Sequence, residues 1–201
     1  MVRAKSLVYK STFFLFGLGA SFYCHAETNP SVEENTVLEQ VQSEIGKIVT
    51  QGKWDVTITG YAYHNPNTYT DNQLKALNDK AWGGGIGKVF RTNSGNDESI
   101  YAMVFRDSAN YLQWSAGYAY QWIFPVASTG LELGAGLTAA LISRHDVYNS
   151  VPFPALLPLV SIGSRNIKIM ATYVPPISVN KGNGKKSKGD LGLVFVKFAF
   201  D

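Results

Sequence analysis

An alternating stretch decides the fold of this chain: Gln113-Trp114-Ser115-Ala116-Gly117-Tyr118-Ala119-Tyr120-Gln121-Trp122. Its even-numbered side chains are mostly large and aromatic, whereas its odd-numbered side chains are small or polar. A period of two places these sets on opposite faces of a β-strand. Residues 131–141 repeat the pattern, with leucine and alanine on one face and mainly glycine, threonine and alanine on the other. A soluble sandwich would expose charge on one face, but charge is nearly absent from both faces of these two runs.

Eight strand-like runs follow one another from Trp54, separated by polar, glycine- or proline-containing stretches. They cover residues 54–65, 82–92, 99–106, 111–123, 130–143, 153–163, 166–175 and 190–200. Several reach the roughly 9–11 residues that a tilted strand needs to cross a bilayer. We therefore predict an all-β fold, an eight-stranded antiparallel transmembrane β-barrel whose large side chains face lipid. The lumen of an eight-stranded barrel is filled by side chains or holds one small ligand. Its small, largely apolar lining favours a hydrocarbon chain, and a merely filled structural barrel is the alternative.

The first 26 residues have the features of a secretory signal peptide. Arg3, Lys5 and Lys10 precede a short apolar run at 13–20, and Ala26 offers a small residue before a cut. Three of the 18 basic residues and none of the 15 acidic residues precede that cut, so the mature chain is formally neutral. The basic pI therefore belongs to the export signal, and we predict no nucleic-acid partner. Cys24, the only cysteine, also leaves with the signal; the alternative, a lipoprotein acceptor, is disfavoured by the bulky residues 21–23 before it.

Residues 27–53 predict an amphipathic helix that ends near Gly52. Pro30 suits the first helical position, and Glu33 and Glu34 suit the first turn. The apolar residues between 37 and 49 fall on one face. The helix either packs on a core or lies at a membrane surface on the periplasmic side. The predicted organisation is thus signal peptide (1–26), helix (27–53) and barrel (54–201).

Polar residues collect at one end of the predicted barrel. With the helix and the C-terminus on the periplasmic side, the loops after strands one, three, five and seven face outward. His64 ends strand one, Asp107 and Ser108 follow strand three, and Arg144 and His145 follow strand five. The basic loop 181–188 would face the phosphates of lipopolysaccharide, unless it is only a solvated turn. Asp, Ser and Asn are also ordinary turn-formers, so position alone does not make them catalytic.

Five segments carry a resemblance to a known family. They are 82–87 (Trp-Gly-Gly-Gly-Ile-Gly), 101–108 (Tyr-Ala-Met-Val-Phe-Arg-Asp-Ser), 116–118 (Ala-Gly-Tyr), 152–159 (Pro-Phe-Pro-Ala-Leu-Leu-Pro-Leu) and 172–175 (Thr-Tyr-Val-Pro). In this order and spacing the chain resembles the outer-membrane lipid A palmitoyltransferases (PagP). The resemblance implies transfer of a palmitoyl chain, or one of similar length, from a phospholipid donor to lipid A in the outer leaflet. It does not distinguish a homodimer from a monomer.

The resemblance also implies roles for individual residues. The catalytic positions fall on His64, Asp107 and Ser108, and the substrate-binding positions on Arg144, Ala119, Gly117, Pro158 and Pro175. Pro158 and Pro175 would flank a lateral gate for lipid between strands six and seven. A second gate, flanked by prolines in the family, falls here on Thr59 and Ala81. Ala119 stands where the family has a glycine at the floor of the acyl-measuring pocket, so its methyl group should shorten the accepted chain.

The predicted chemistry is acyl transfer without a cofactor or a metal. His64 can take a proton from the acceptor hydroxyl or from Ser108, because imidazole exchanges protons near neutral pH. Asp107 could orient the imidazole, and Ser108 could act as nucleophile or stabilise an oxyanion. Two other interpretations remain: a non-enzymatic outer-membrane barrel with a structural or adhesive role, and a soluble periplasmic lipid carrier.

Overall fold

The computed structural model describes residues 30–66, 72, 77–108, 110–145, 150–175, 177–181, 184–188 and 190–201; within these ranges, the side chains of 30–38 and 177–188 are not described. The predicted signal peptide lies outside the described residues, and its cleavage stays a prediction. The chain divides into two compact units, Met1–Val37 and Leu38–Asp201. The structural findings below concern the second unit, together with the bounds of a helix that begins in the first.

The apolar period that follows Pro30 produces helix α1 (Pro30–Gln51). Within its C-terminal part, Ile48 is completely buried, and Lys88 Nζ donates to the Val49 carbonyl oxygen at 2.5 Å. A cation at this end complements the helix dipole. Ile45 and Val49 are 41% and 46% exposed. Within residues 39–51 the helix therefore buries Ile48, accepts a hydrogen bond from Lys88 and leaves Ile45 and Val49 exposed.

No helix within the described ranges is both long enough and apolar enough to cross a membrane.

Eight antiparallel strands close into a barrel, as the sequence predicts. They are β1 (Lys53–His64), β2 (Gly83–Arg91), β3 (Asp97–Arg106), β4 (Leu112–Val126), β5 (Leu131–Ser143), β6 (Phe153–Gly163), β7 (Ile167–Val174) and β10 (Leu191–Phe200). Their order around the barrel is β1-β10-β7-β6-β5-β4-β3-β2. Strands β8 (Ile177–Lys181) and β9 (Gly184–Lys188) form a separate two-stranded sheet where the sequence predicts only a basic loop.

The alternation in β4 sorts the side chains as predicted. Gln113, Ser115 and Ala119 are buried, whereas Trp114 and Trp122 are 38% and 45% exposed. Large apolar side chains are exposed on the other strands as well, among them Ile58, Ile86, Val104, Leu137, Leu156 and Ile169. An apolar exterior around a closed hydrogen-bonded sheet is what a bilayer requires of a spanning structure. The fold is therefore a transmembrane barrel, and this exterior argues against the soluble carrier.

The two ends of the barrel carry different strand termini. We call the end that holds His64 and Arg106 the distal rim, and the end that holds Lys53 and Phe200 the proximal rim. At the proximal rim, Lys53 Nζ forms an exposed ion pair with Asp201 Oδ1 at 2.8 Å. Every residue predicted to carry chemistry at a strand end lies at the distal rim.

Candidate functional site

A β-bulge sets which residues of β1 face the lumen. Thr57 and Thr59 are buried, and the register then shifts between Thr59 and Tyr61. After this shift the even-numbered residues point inward, so that Ala62 and His64 are 3% and 6% exposed. A one-residue shift reverses the face of every following side chain. Without the bulge, the strand would turn His64 away from the lumen.

Ser108 lies in a tight turn between β3 and β4. The Asp107 amide donates to the Tyr111 carbonyl oxygen at 2.8 Å, and the Tyr111 amide donates to Asp107 Oδ1 at 2.8 Å. Asn110 has a positive φ of 69°, a conformation that asparagine tolerates. Asp107 is 7% exposed. The turn thus holds Ser108 at the distal rim, with the Asp107 carboxylate bonded inside the same turn.

The structure brings His64 and Ser108 together across 44 residues of sequence. His64 Nε2 lies 2.5 Å from Ser108 Oγ, and His64 Nδ1 lies 2.9 Å from Asp79 Oδ1. The His64 side chain is only 2% exposed, whereas that of Asp79 is 58% exposed. Both ring nitrogens therefore have oxygen partners, and a serine hydroxyl and a carboxylate flank one imidazole. Asp79 is a residue that sequence reasoning missed, because it lies in the loop between β1 and β2 and outside every recognised segment.

The lumen contains a cavity below the His64–Ser108 pair. The described residues that line its apolar part include Met103, Phe105, Leu157, Leu159, Met170 and Phe195. Polar residues line it as well, among them Asp55, Thr57, Ser99 and Lys197. Lys197 Nζ lies 3.5 Å from Asp55 Oδ2, and Asp55 is 1% exposed. The lumen is therefore apolar beneath the distal rim and charged toward the proximal rim. The alternation of side chains in β4 and β5 did not indicate this charged part.

Ala119 lines the cavity, as the alternation predicts, and is 3% exposed. It pairs with Ser99 across β3 and β4. Gly117 lies one inward position nearer the distal rim, where it pairs with Tyr101 on β3 and Ala140 on β5. A Cβ atom at Gly117 would approach the Ala140 Cα to 2.8 Å. Only glycine permits this close approach of the strands.

Below the cavity, four charged residues form what we call the interior charge cluster: Arg91, Asp97, Glu132 and Lys168. Lys168 Nζ lies 2.7 Å from Asp97 Oδ2 and 3.0 Å from Glu132 Oε2. Arg91 lies 2.5 Å from Asp97 Oδ1 through Nε and 2.7 Å from Glu132 Oε2 through Nη2. The two cations and two anions balance. This arrangement closes the proximal end of the lumen with paired charges.

The ladder between β6 and β7 covers only part of these strands. Among the described residues it runs from Leu159↔Thr172 to Gly163↔Lys168. Beyond it, Thr172 Oγ1 donates to the Pro158 carbonyl oxygen at 2.8 Å. Pro175 is exposed and directly follows the end of β7. The backbone hydrogen bonding between β6 and β7 thus stops on the distal side of Leu159, where the sequence predicts a lateral opening.

The second predicted gate has a hydrogen bond across it. Thr59 Oγ1 donates to the Ala81 carbonyl oxygen at 2.5 Å, and both residues are buried. The β1–β2 ladder ends at Thr59↔Gly83. At the two positions where the family has prolines, this chain therefore has a side chain-to-backbone link between β1 and the segment before β2.

Arg144 and His145 lie at the distal rim after β5. Arg144 is 8% exposed, and its carbonyl oxygen accepts from the Ser150 amide at 3.0 Å. The His145 ring lies 4.1 Å from the Tyr111 ring, centroid to centroid. The turn that carries Ser108 thus contacts the β5 end. The side chains of the lysines in β8 and β9 lie outside the described residues, so their predicted contact with phosphate is not tested.

In the part of the chain that the structure describes, no group of three or more His, Cys, Asp or Glu residues could hold a metal ion.

The fold and the site together define a class: a membrane-spanning eight-stranded barrel with a histidine–serine pair at one rim above an apolar cavity. Residues 44–187 match the family model described as "Antimicrobial peptide resistance and lipid A acylation protein PagP". The chain belongs to this PagP family.

Curated relatives agree with this family over most of the chain. The chain is 40% identical over 156 residues to "Lipid A acyltransferase PagP" of Bordetella pertussis (strain Tohama I), covering 78% of this chain and 81% of the relative. It is 36% identical over 159 residues to the protein of the same name from Legionella pneumophila (strain Philadelphia 1), covering 79% and 82%. Another Legionella pneumophila protein of this name is 34% identical over 177 residues, covering 88% and 93%. The resemblance found in the sequence is thus confirmed.

Proposed function

We propose that this protein is an outer-membrane acyltransferase that acylates lipid A, moving a palmitoyl chain, or one of similar length, from a phospholipid. The observation that carries the proposal is the His64 Nε2–Ser108 Oγ contact of 2.5 Å at the distal rim, directly above an apolar cavity. Hydrolytic and acyl-transfer enzymes activate hydroxyl groups in this way. Membership of the PagP family supports lipid A as the acceptor.

In the proposed reaction, His64 accepts the proton of the attacking hydroxyl as that oxygen bonds to the donor's acyl carbon. The ester bond to the phospholipid breaks, and the imidazolium returns its proton to the leaving lysophospholipid. Two routes use this geometry. In one, Ser108 is acylated first; the lipid A hydroxyl then gives its proton to His64 as it attacks the acyl-serine, the bond from the acyl carbon to Ser108 Oγ breaks, and His64 returns the proton to Ser108. In the other, the lipid A hydroxyl attacks directly and Ser108 donates a hydrogen bond to the oxyanion. Asp107 supports either route by fixing the turn that carries Ser108.

The depth of the cavity supports a long acyl chain. Ser99 lies seven residues before the end of β3 at Arg106. A rise of about 3.3 Å per residue and a tilt of about 45° give roughly 16 Å along the barrel axis, and Ser108 lies beyond that strand end. With C–C bonds of about 1.5 Å, an extended chain advances about 1.25 Å per carbon. We therefore propose a chain of roughly 14 to 16 carbons that ends at Ala119, the cross-strand partner of Ser99.

Entry and recognition of the lipids are assigned to the distal half of the barrel. The donor chain is proposed to enter between β6 and β7, where Pro158 and Pro175 bound the stretch beyond the ladder. Gly117 keeps β4 close to its neighbours at the upper cavity wall. Arg144 is proposed to hold a lipid phosphate, because a guanidinium binds phosphate oxygens in a bidentate manner.

The test is mass spectrometry of lipid A from cells that express the wild-type chain, His64→Ala or Ser108→Ala. We expect an added acyl mass with the wild type and its loss with both variants, while heat-modifiable migration on gels shows that the barrels fold. Ser164→Ala, in the turn at the proximal rim, is the matched control and should retain the added mass. Unchanged acylation in either rim variant would refute the catalytic assignment. An unmodified lipid A in wild-type cells would instead favour the non-enzymatic barrel.

We also propose that the chain reaches the outer membrane through a signal peptide cut after Ala26, which leaves the segment 27–53, with helix α1, on the periplasmic side and the remainder, 54–201, as the barrel. The apolar exterior of the barrel and the family support this location. Amino-terminal sequencing of protein isolated from outer membranes should begin at Glu27. A retained Met1 in that fraction would contradict the proposed cut.

A further inference from the structure

The oxygen partners of His64 define its tautomer. An ionised carboxylate can only accept hydrogen bonds, so the contact with Asp79 requires the proton on Nδ1. Nε2 then offers a lone pair to the Ser108 hydroxyl, which donates to it. This assignment follows from the bonding partners. It leaves the imidazole in the form that accepts a proton from a hydroxyl group.

The backbone of two consecutive residues holds Asp79 in place. The Asn78 amide donates to the Ser108 carbonyl oxygen at 2.8 Å, and the Ala62 amide donates to the Asp79 carbonyl oxygen at 2.9 Å. The segment is therefore tied both to the turn that carries Ser108 and to the strand that carries His64. The Asn78 side chain also accepts from the Lys80 amide at 3.0 Å, which closes the local turn. These hydrogen bonds thus hold the backbone of Asp79 relative to both partners.

We propose that Asp79 is the positioning residue for His64, so that Ser108, His64 and Asp79 act together as a serine–histidine–carboxylate triad at the barrel rim. This inference rests on the proposed function. Asp79 holds the imidazole with Nε2 toward Ser108 and faces the positive charge that forms on the ring when a hydroxyl loses its proton. The Asp107 carboxylate accepts a hydrogen bond from the Tyr111 amide within the turn that carries Ser108. Asp79 acts through its contact with His64 Nδ1.

The exposure of Asp79 limits the size of its effect. Because its side chain is 58% exposed, water screens part of its charge. The geometric part of its role remains, since an amide at this position can rotate and present its NH₂ group to Nδ1, which reverses the tautomer. We therefore expect Asp79→Asn to lower kcat about 100-fold, at the lower end of the range for acid–base catalysis, with little change in KM.

The experiment compares wild type, Asp79→Asn and Asp79→Glu in detergent micelles, with a diacyl phosphatidylcholine as donor and purified lipid A as acceptor. Lys80→Ala is the matched control, because it removes a neighbouring exposed charge and leaves the Asp79 carboxylate. We expect Asp79→Glu to recover at least about a tenth of the wild-type kcat, since it keeps the carboxylate. Lys80→Ala should retain the wild-type kcat.

A second measurement does not depend on turnover. ¹⁵N NMR of histidine-labelled protein reports which ring nitrogen of His64 carries the proton, and His64→Gln identifies its signals. We expect the Nδ1-protonated form in wild type, Asp79→Glu and Lys80→Ala, and its loss in Asp79→Asn. An unchanged tautomer and an unchanged kcat in Asp79→Asn would overturn the inference. If Asp79→Asn changes the tautomer as expected but the wild type transfers no acyl group, the proposed function fails and the positioning role stands.

Discussion

Replacing Lys168 by methionine removes one cation from the interior charge cluster and keeps most of the side-chain volume. Lys168 is 4% exposed and contacts two carboxylates, Asp97 at 2.7 Å and Glu132 at 3.0 Å. After the change, Arg91 alone faces both carboxylates, and the cluster carries one uncompensated negative charge. The substitution thus tests whether charge balance at the proximal end of the lumen stabilises the barrel.

The magnitude follows from these distances. At an effective dielectric constant of about 20, each contact of Lys168 contributes a gross attraction of roughly 6 kcal/mol. The cost of removing the ammonium from water, several kcal/mol, offsets part of this attraction. Breaking a buried pair by removing one partner typically costs about 3–5 kcal/mol, because the other charge stays buried. We therefore expect Lys168→Met to lower the free energy of unfolding by about 4 kcal/mol.

The assay is equilibrium unfolding by guanidinium in phospholipid vesicles, followed by fluorescence of the four tryptophans. Lys168→Met combined with Glu132→Gln restores a neutral Arg91–Asp97 pair, and we expect it to lose no more than about 2 kcal/mol relative to wild type. Lys53→Met breaks the exposed pair with Asp201 and should cost less than about 1 kcal/mol. A loss below about 1 kcal/mol for Lys168→Met, or a double variant less stable than the single one, would refute the charge-balance argument.

Three further predictions concern single methyl groups. Ala119→Gly should lengthen the chain transferred to lipid A by about one methylene, read by mass spectrometry, and an unchanged length would place the floor elsewhere. Gly136→Ala should lower the unfolding free energy by about 1–3 kcal/mol or more, because the added Cβ would overlap the Tyr120 carbonyl oxygen. Gly192→Ala is the control: its added Cβ would have its nearest neighbour at 3.9 Å, so it should be nearly neutral in the same assay. Gly46→Ala, with nothing within 4 Å of the added methyl, should raise the unfolding free energy by up to about 1 kcal/mol, and a loss would reveal an unseen contact.

The strands and their faces were accessible from sequence because both depend on local chemistry. The predicted run 153–163 coincides with β6, and 111–123 contains most of β4 (Leu112–Val126). Alternation of large and small side chains gives the strand period and the lipid-facing side together. It placed Ala119 in the lumen, and burial of 97% of that residue confirms the placement.

The interior charge cluster shows where local pattern fails. Arg91 ends β2, and Asp97, Glu132 and Lys168 stand at or next to the start of their strands. Each one resembles an ordinary charge beside a turn. They meet only because closure of the barrel brings the proximal ends of these four strands together around the lumen. No feature of a single strand predicts that encounter.

By itself, the sequence determined the class of fold, the lipid-facing surface and two members of the candidate site, His64 and Ser108, through family resemblance and alternation. Tertiary structure decided how they lie relative to each other. A bulge after Thr59 turns His64 inward, and the loop before β2 brings Asp79 to its other nitrogen. These contacts join residues 15 and 44 positions apart. Such contacts depend on barrel closure and loop path, whereas strand and face depend on neighbours in sequence.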